Sequence, residues 1–170
     1  MQILGLMKLA DILTIGNLCC GILSILLAID GHNGLSAWLL FLAVVFDVLD
    51  GKIAGLLHQK NLFGKQIDSM SDLVSFGVAP ALLYYSISSP GILGIAVSLF
   101  FVTCGMLRLA RYNISEGSGF VGVPITVNGV LFPTLFLLFN SFPESLRYWP
   151  MVFIIQSFLM ISTFKISRIF

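Results

Sequence analysis

Four aspartates interrupt two long apolar stretches of the sequence at regular spacings. Asp47 and Asp50 are three residues apart, and Asp68 and Asp72 are four residues apart. On an α-helix, residues three or four apart project from the same face, so each pair predicts a helix face that carries two carboxylates. Four carboxylates that converge in apolar surroundings repel one another and lose hydration. The pattern therefore predicts divalent cations with oxygen ligands, Mg²⁺ or Mn²⁺, among them.

Paired cations point to a class of reaction. Two divalent ions about 4 Å apart are a recurrent arrangement for phosphoryl transfer, so we expect two ions at this site. A second interpretation pairs the acids with Lys52, Lys60 and Lys65 at the membrane interface, but four acids spaced 3, 18 and 4 residues apart do not favour it. A third, from another class, is the cation site of a small transporter or channel, because such proteins also carry carboxylates within the membrane.

The amino-acid composition indicates the environment of the helices that carry these acids. Of the 170 residues, 58% are hydrophobic and 10% are charged, and the mean hydropathy is +1.01. Charged residues make up about a quarter of a soluble domain, so the sequence predicts an integral membrane protein with membrane lipid as its solvent. The net charge of +1 comes without a basic run, which argues against a nucleic-acid partner.

Six apolar segments are separated by turn residues and charges. They cover residues 10–29, 34–57, 66–88, 91–112, 121–142 and 147–167. About 20 apolar residues cross a bilayer as a helix, and these runs lack the alternation of strands. We therefore predict an all-α membrane protein with six transmembrane helices, in a single domain over residues 1–170. The first segment lacks a small-residue cleavage site, which favours a retained helix over a signal peptide.

A short link joins the second and third segments, so we expect these helices to be antiparallel neighbours whose acid pairs meet. The basic residues set the orientation. Arg147 alone lies on one side of the predicted bundle, and eight lie on the other: Lys8, Lys52, Lys60, Lys65, Arg108, Arg111, Lys165 and Arg168. Lys and Arg accumulate on the cytoplasmic side, so both termini and the acid pairs are predicted to face the cytoplasm. Asp11 is expected to be a solvated interfacial charge.

The acids belong to a longer pattern. It reads Asp47-x-x-Asp50-Gly51-x-x-Ala54, followed by Gly64-x-x-x-Asp68-x-x-x-Asp72. This pattern resembles the signature of the CDP-alcohol phosphotransferases, which are six-helix membrane enzymes and often homodimers. Members of that family move a phosphatidyl or similar group from a CDP-linked lipid or alcohol to a hydroxyl acceptor and release CMP.

The resemblance implies roles for the four acids. Asp47, Asp50 and Asp68 would be metal ligands, and Asp72 would be a general base that also contacts metal. Such a base is needed because a hydroxyl group is a poor nucleophile until its proton is removed. A direct displacement at phosphorus is expected, since no Ser/His/Asp arrangement accompanies the acids.

The resemblance also implies a CDP site bordered by Gly51, Ala54 and Gly64, the last of which lies in the predicted link. Residues without a large side chain let a flat ring or a diphosphate approach the backbone closely. Helix packing is an alternative explanation for the glycines, because Gly51 and Gly55 form a GxxxG pair.

Gly55 is also a departure from the family pattern, which has Arg at this position. The resemblance therefore implies that part of the nucleotide or phosphate contact is missing. Lys52 and His58 each lie about one helical turn from position 55 and are candidates for a replacement charge. A solvated interfacial position is an equal alternative for both side chains.

Further stretches resemble the type II phosphatidylserine synthases of this family. They are DSMSDLVSFGVAPALLYY at 68–85, CGMLRLARYN at 104–113 and FVGVP at 120–124. This similarity implies a CDP-linked lipid and L-serine as substrates. Thr14 and Asn17 match a TxxN motif at the start of the first helix, which implies a contact with CDP. A hydrogen bond between helices is an equal alternative for Asn17.

Two arginines are candidates for binding the acceptor. Arg108 and Arg111 are three residues apart near the end of the fourth segment, and a guanidinium group binds a carboxylate with two parallel hydrogen bonds. We predict that they bind the carboxylate of serine. An alternative role for both is to anchor the helix end to anionic headgroups. A separate alternative is transfer to glycerol phosphate or an inositol phosphate, but the phosphate of such an acceptor would need a denser basic cluster than these two arginines.

Overall fold

Six helical rods form the part of the chain that the computed structural model describes, namely residues 8–57, 61–88, 91–114 and 122–163. Helix α1 spans Leu9–Ile29 and α2 spans Asn33–Leu56. The third rod consists of α3 (Leu62–Asp72), a π-helical segment (Leu73–Val78) and α4 (Ala79–Ser88). The remaining rods are α5 (Gly91–Ile114), α6 (Asn128–Phe139) and α7 (Trp149–Ile161), and 3₁₀ turns at Ile125–Val127 and Pro143–Tyr148 precede α6 and α7.

The all-α prediction is confirmed over these four ranges, in which no strand occurs. The six rods also correspond one to one with the six predicted segments. Four residues named above, His58, Lys60, Lys165 and Arg168, lie outside the described ranges.

Three of the rods are long and apolar enough to cross a bilayer: Ala10–Ile29, Leu62–Ser88 and Gly91–Ile114. Many of their large apolar side chains, such as Ile22 and Leu99, are exposed on the outside of the bundle. Outward apolar side chains are expected where the surrounding solvent is lipid. The structure and the composition therefore agree on a membrane protein.

The start of α3 differs from the prediction because of a helix cap. The Asn61 side chain accepts a hydrogen bond from the Gly64 N–H, and Asn is among the strongest N-cap residues. The rod consequently begins at Leu62 rather than at residue 66. Gly64 lies in the first helical turn and not in a link.

Helix α1 has a central place in the bundle. It runs along α2, to which a three-residue turn connects it, with Gly31 at φ 82°. It also packs against α3, the π-helical segment and α4. The expectation that the second and third rods pack directly along each other is thus only partly right, because α1 contacts both of them.

Five aromatic side chains fill the bundle away from the acids, and we call them the aromatic cluster: Tyr84, Phe101, Phe132, Trp149 and Phe153. The rings of Phe132 and Phe153 are stacked with centroids 4.1 Å apart, and Phe101 meets Phe153 edge to face at 4.7 Å. The cluster joins α4, α5, α6 and α7. Tyr84 lies about 18 Å along the third rod from Asp72, at 1.5 Å per residue.

Candidate active site

The four aspartates at the other end of the bundle meet in space, and we call them the acid cluster: Asp47, Asp50, Asp68 and Asp72. One carboxylate oxygen from each of the first three lies within 4.8 Å of the others. Asp50 is buried, and Oδ1 of Asp68 is a buried atom without a hydrogen-bond partner among the described residues. An all-oxygen donor set with an unsatisfied oxygen fits a hard divalent cation.

Asp72 lies at the end of α3 and is buried, with 6% of its surface exposed. Its side chain is within hydrogen-bonding reach of Asp47. Two carboxyl groups in contact need either a shared proton or a cation between them. Four ionised carboxylates would therefore repel one another here unless a proton or a cation lies between them.

Helix α1 orients two of the four carboxylates. The Thr14 hydroxyl donates to Oδ2 of Asp50 at 2.7 Å, and Nδ2 of Asn17 donates to Oδ1 of Asp72 at 3.1 Å. The hydrogen bond between helices that was one alternative for Asn17 is thus observed. Its contact with CDP remains a prediction, and Oδ1 of Asn17 is buried without a partner among the described residues.

The backbone of the same α1 turns holds the third rod. The Ser71 hydroxyl donates to the Thr14 carbonyl, and the Ser75 hydroxyl donates to the Asn17 carbonyl, each at 3.0 Å. Thr14 and Asn17 each therefore hold an aspartate with the side chain and a serine with the backbone. These paired contacts fix α1 and the third rod in register at the acid cluster.

A cavity of about 490 Å³ opens beside the acid cluster. Four of the residues predicted to border CDP, Thr14, Gly51, Ala54 and Gly64, line it together with Asp50 and Asp68. Lys52 is exposed and is not among the lining residues. The structure therefore brings four of the six residues predicted for the CDP site to this cavity, whereas Asn17 and Lys52 are not among the lining residues.

The small residues of α2 face open space. A Cβ atom built at Gly51 or at Gly55 would meet no described atom within 4 Å. Helix packing through this GxxxG pair is therefore not seen within the described chain. The missing side chain at Gly51 instead widens the cavity beside Asp50.

Asp11 was wrongly predicted to be solvated. It is 4% exposed and lines the cavity. It folds back over the start of α1, where its Oδ2 accepts a hydrogen bond from the Lys8 N–H at 2.7 Å. Its spacing of three residues from Thr14 places both on one helix face, which is the signal that identifies it as a site residue.

Lys65 and Tyr112 form a wall of the cavity that the sequence analysis did not assign to a site. The Lys65 ammonium group donates to the Asn113 carbonyl at 2.9 Å and lies 5.1 Å from the centroid of the Tyr112 ring. These contacts tie the start of α3 to the end of α5. They place one cationic and one aromatic side chain opposite the acids.

Thr126 is another site residue that the sequence did not reveal. Its side chain lies within hydrogen-bonding reach of Asp47 from the 3₁₀ turn before α6. Thr126 stands in an apolar segment with no acid or base beside it, so no local pattern distinguishes it from a packing residue.

Arg108 faces the acid cluster, as predicted. It is 6% exposed and close enough to Asp72 and Asp47 to interact with their charges. Its guanidinium carbon lies 5.6 Å from the centroid of the Tyr112 ring. Its Nε is buried without a hydrogen-bond partner in the described part of the chain, so the group has capacity for an acceptor.

Arg111 makes a contact that was not predicted. Its guanidinium donates to the carbonyls of Met160, Ile161 and Ser162 at 3.0–3.2 Å, at the end of α7. Basic side chains commonly satisfy the last carbonyls of a helix. Arg111 thus ties the end of α5 to the end of α7, and its predicted contact with the acceptor carboxylate stays a prediction.

Comparisons with known proteins agree with this geometry. The model of the family described as CDP-alcohol phosphatidyltransferase matches residues 7–164. An archaetidylserine synthase from Methanothermobacter thermautotrophicus is 40% identical over 99% of this chain and 73% of its own length.

Two further relatives carry the name CDP-diacylglycerol–serine O-phosphatidyltransferase. The protein from Methanocaldococcus jannaschii is 39% identical over 81% of this chain and 64% of its own length. The protein from Bacillus subtilis is 38% identical over 75% of each chain. The matches thus cover between 64% and 75% of these three relatives.

Proposed function

Because the chain belongs to the CDP-alcohol phosphatidyltransferase family, we propose that it transfers the phosphatidyl-type group of a CDP-linked diradyl lipid to the hydroxyl of L-serine and releases CMP. The single observation that supports this most directly is the convergence of Asp47, Asp50 and Asp68 beside a cavity large enough for a nucleotide headgroup. The names of the similar proteins support serine as the acceptor.

The acid cluster is proposed to hold Mg²⁺ or Mn²⁺, as two ions. Asp47, Asp50 and Asp68 are the proposed ligands, and Asp72 adds a fourth carboxylate on the side facing Asp47. When bound, divalent cations neutralise the diphosphate and favour the departure of CMP. The unpartnered oxygen of Asp68 supports this assignment.

The cavity is proposed to receive the CDP part of the donor. Thr14, Gly51, Ala54 and Gly64 line it, so a nucleotide approaches backbone and small side chains there. Asn17 and Lys52 are proposed as further CDP contacts. Asn17 would use its Oδ1, which has no partner among the described residues, and Lys52 would reach CDP from the exposed face of α2.

Asp72 is proposed as the general base. The Asn17 amide orients this carboxylate through one oxygen, and the ionised group is proposed to accept the proton of the serine hydroxyl. The serine oxygen then bonds to the β-phosphorus as the bond from that phosphorus to the CMP oxygen breaks. The proton ends on Asp72 and the electron pair on CMP, so charge and atoms balance.

Arg108 is proposed to bind the serine carboxylate. It is buried, carries a positive charge beside the acids and has an unpartnered N–H. Arg111, predicted for the same role, lies three residues further on and donates to α7. Arg108 is therefore proposed as the main contact of the serine carboxylate. Arg111 is proposed chiefly to stabilise the fold around Arg108.

The proposed setting is the cell membrane, with the acid cluster at the cytoplasmic face. The lipid tails of the donor then stay in the bilayer while its headgroup reaches the cavity. The excess of Lys and Arg on one side of the bundle supports this orientation. A homodimer is proposed from the resemblance to the family.

One assay separates the candidate functions. Purified protein in detergent is mixed with Mn²⁺ and a CDP-lipid, with ester-linked and ether-linked tails tested in parallel. Serine, glycerol phosphate and inositol phosphate are then added in turn, and CMP release is measured. Metal-dependent release with serine is expected. Release only with a phosphorylated alcohol would overturn the acceptor, and cation flux in vesicles without any CMP release would overturn the enzyme.

A further inference from the structure

The rod that carries Asp68 and Asp72 changes its helical geometry directly after Asp72. The segment Leu73–Val78 is π-helical, and the Ala79 N–H donates to the Val74 carbonyl, five residues earlier. A π-helical turn contains an extra residue, is rare, and occurs frequently at functional sites. The direction in which Asp72 points relative to α4 is therefore set by this turn.

Pro80 removes a hydrogen-bond donor from the same region. Proline has no backbone N–H, so the Phe76 carbonyl, four residues earlier, lacks its usual helical partner. Nδ2 of Asn128 donates to this carbonyl at 3.1 Å, and Nε2 of Gln156 donates to Oδ1 of Asn128 at 2.7 Å. Asn128 is fully buried and Gln156 is 4% exposed. The Asn128 amide of α6 thus satisfies the carbonyl that the proline leaves free, and the Gln156 amide of α7 holds Asn128 in place.

Helix α1 holds the opposite side of the π-helical segment. Ser75, at its centre, donates to the Asn17 carbonyl. Gly21 makes this approach possible, because a Cβ atom there would lie 2.8 Å from the Ser75 Cα. The π-helical segment is therefore held between α1 on one side and the Asn128–Gln156 pair on the other.

The residues just before Asn128 reach the other half of the acid cluster. Thr126 lies within hydrogen-bonding reach of Asp47, which α2 carries. Ile125 is fully buried and packs against Gly105 and Gly77. A Cβ atom added at these glycines would lie 2.9 Å and 3.8 Å, respectively, from the Ile125 Cδ1. A single short stretch, residues 125–128, therefore touches both the helix of Asp47 and the π-helical segment that follows Asp72.

We propose that Asn128 and Gln156 are positioning residues, which hold the π-helical turn and thereby set the placement of Asp68 and Asp72 against Asp47 and Asp50. Neither amide reaches the acids themselves in this arrangement; both act through the Phe76 carbonyl. The inference rests on the proposed function, since its consequence is the metal affinity of the acid cluster.

The central variant is Asn128→Leu, which keeps a similar volume and removes the donor. Mn²⁺ binding to the purified protein in detergent is measured by the electron paramagnetic resonance signal of free Mn²⁺, and thermal stability is measured without metal. Loss of supporting groups around a metal site costs about 10–100-fold in metal affinity, so we expect a loss of about tenfold. Gln156→Met removes the hydrogen bond that holds the Asn128 side chain in its orientation, so we expect a smaller loss of Mn²⁺ affinity. This variant tests the inference if Asn128→Leu does not fold.

The double variant Asn128→Leu/Pro80→Ala separates positioning from packing. Alanine supplies an N–H at position 80 that bonds to the Phe76 carbonyl as in a regular α-helix. We expect thermal stability to recover, because the Phe76 carbonyl is paired again, while Mn²⁺ affinity stays low, because the hydrogen bond that ties α6 to the π-helical segment is absent. Asn33→Leu is the matched control: it removes an amide that accepts from Ser86 at 2.8 Å, far from the acids, and is expected to leave Mn²⁺ affinity unchanged.

Three results would overturn the inference. Parental Mn²⁺ affinity in Asn128→Leu would contradict it while the proposed function stands. Recovery of affinity together with stability in the double variant would show that the amides serve only packing. A parent protein that neither binds Mn²⁺ nor releases CMP would overturn the proposed function and this inference with it.

Discussion

The two ends of the bundle satisfy their buried groups in different ways. In the aromatic cluster, apolar rings fill the space between four helices, with Phe132 and Phe153 in direct stacking contact. In and beside the acid cluster, Asp68, Asn17 and Arg108 each keep a buried polar atom without a partner among the described residues. The acid end keeps three of the four such atoms in the described residues, and the fourth, Oγ of Ser98, lies one helical turn from Phe101 on α5.

The difference separates stability from function. Stacked and edge-to-face rings stabilise a fold without any ligand, while buried carboxylates and unsatisfied polar atoms destabilise it. Proteins retain such local conflicts mainly at functional sites. Mutations in the aromatic cluster should therefore lower the stability of the fold, whereas mutations in the acid cluster should lower turnover.

The largest effect is expected from the proposed metal ligands. Asp47→Asn, Asp50→Asn or Asp68→Asn removes one charge at nearly constant volume. Because bound cations contribute several kcal/mol to such reactions, CMP release should fall roughly 10⁴-fold, while thermal stability without metal is retained. Asp30→Asn makes the same change at an exposed turn and should leave turnover unaltered. Near-normal turnover in all three ligand variants would contradict the metal site.

A slightly smaller effect is expected at Asp72. If it is the base, Asp72→Asn should lower kcat by about 10³-fold with little change in the KM for CDP-lipid, because the proton is removed only on the way to the transition state. Steady-state kinetics at saturating metal measure both constants. An equal loss of CDP-lipid affinity would instead make Asp72 chiefly a metal ligand.

The aromatic end should respond in the opposite way. Phe153→Ala removes a fully buried ring and should lower the free energy of unfolding by about 3 kcal/mol, measured by denaturation in detergent. The kcat of the folded protein should remain close to parental. Phe158→Ala is the matched control on α7, since this ring is 57% exposed. A loss of kcat in Phe153→Ala equal to that of Asp72→Asn would remove the distinction between the two ends.

A moderate effect is expected at the arginines. Lysine keeps the charge but loses the two-pronged geometry, so Arg108→Lys should raise the KM for serine roughly tenfold, as expected for loss of one charged hydrogen bond. The affinity for CDP-lipid should not change. Arg111→Lys is expected mainly to lower thermal stability through its contacts with α7. If both variants use serine as well as the parent does, serine selectivity arises elsewhere.

The smallest effect is expected at Gly55, where the family pattern has Arg. Open space surrounds this position, so Gly55→Arg should fold normally and tighten CDP-lipid binding about threefold, or ~0.6 kcal/mol for an exposed charge. Lys52→Ala should weaken binding by a similar factor. Equilibrium binding of CDP-lipid checks both, and a stable Gly55→Arg protein with unchanged affinity would contradict the idea of a missing contact.

The sequence was most informative where the pattern is periodic. Apolar runs of bilayer length predicted the six rods, and pairs of Asp at helical spacing predicted the convergence of Asp47, Asp50 and Asp68. Both features depend on local helix geometry, which a sequence carries directly. The aromatic cluster, in contrast, is assembled from four helices and has no such spacing.

The unpredicted features depend on contacts between distant segments. Asp11 and Gly64 were misplaced because helix caps, not hydropathy, fix the first turns of α1 and α3. Asn128 is an isolated amide in an apolar run. Its interaction with the Phe76 carbonyl depends on Pro80, which lies 48 positions earlier in the sequence. The contacts of Arg111 with α7 likewise need both helices in place.

These Arg111 contacts have a consequence for the order of assembly during synthesis. Helices α1 and α2 pack together and follow each other directly, so both partners of this pair are synthesised in succession. The carbonyls that accept from Arg111 come about fifty residues later in the chain. The hydrogen bonds that tie the end of α5 to α7 therefore form only after the last described helix has been synthesised. These bonds are thus among the last tertiary contacts of the described chain to become available during synthesis.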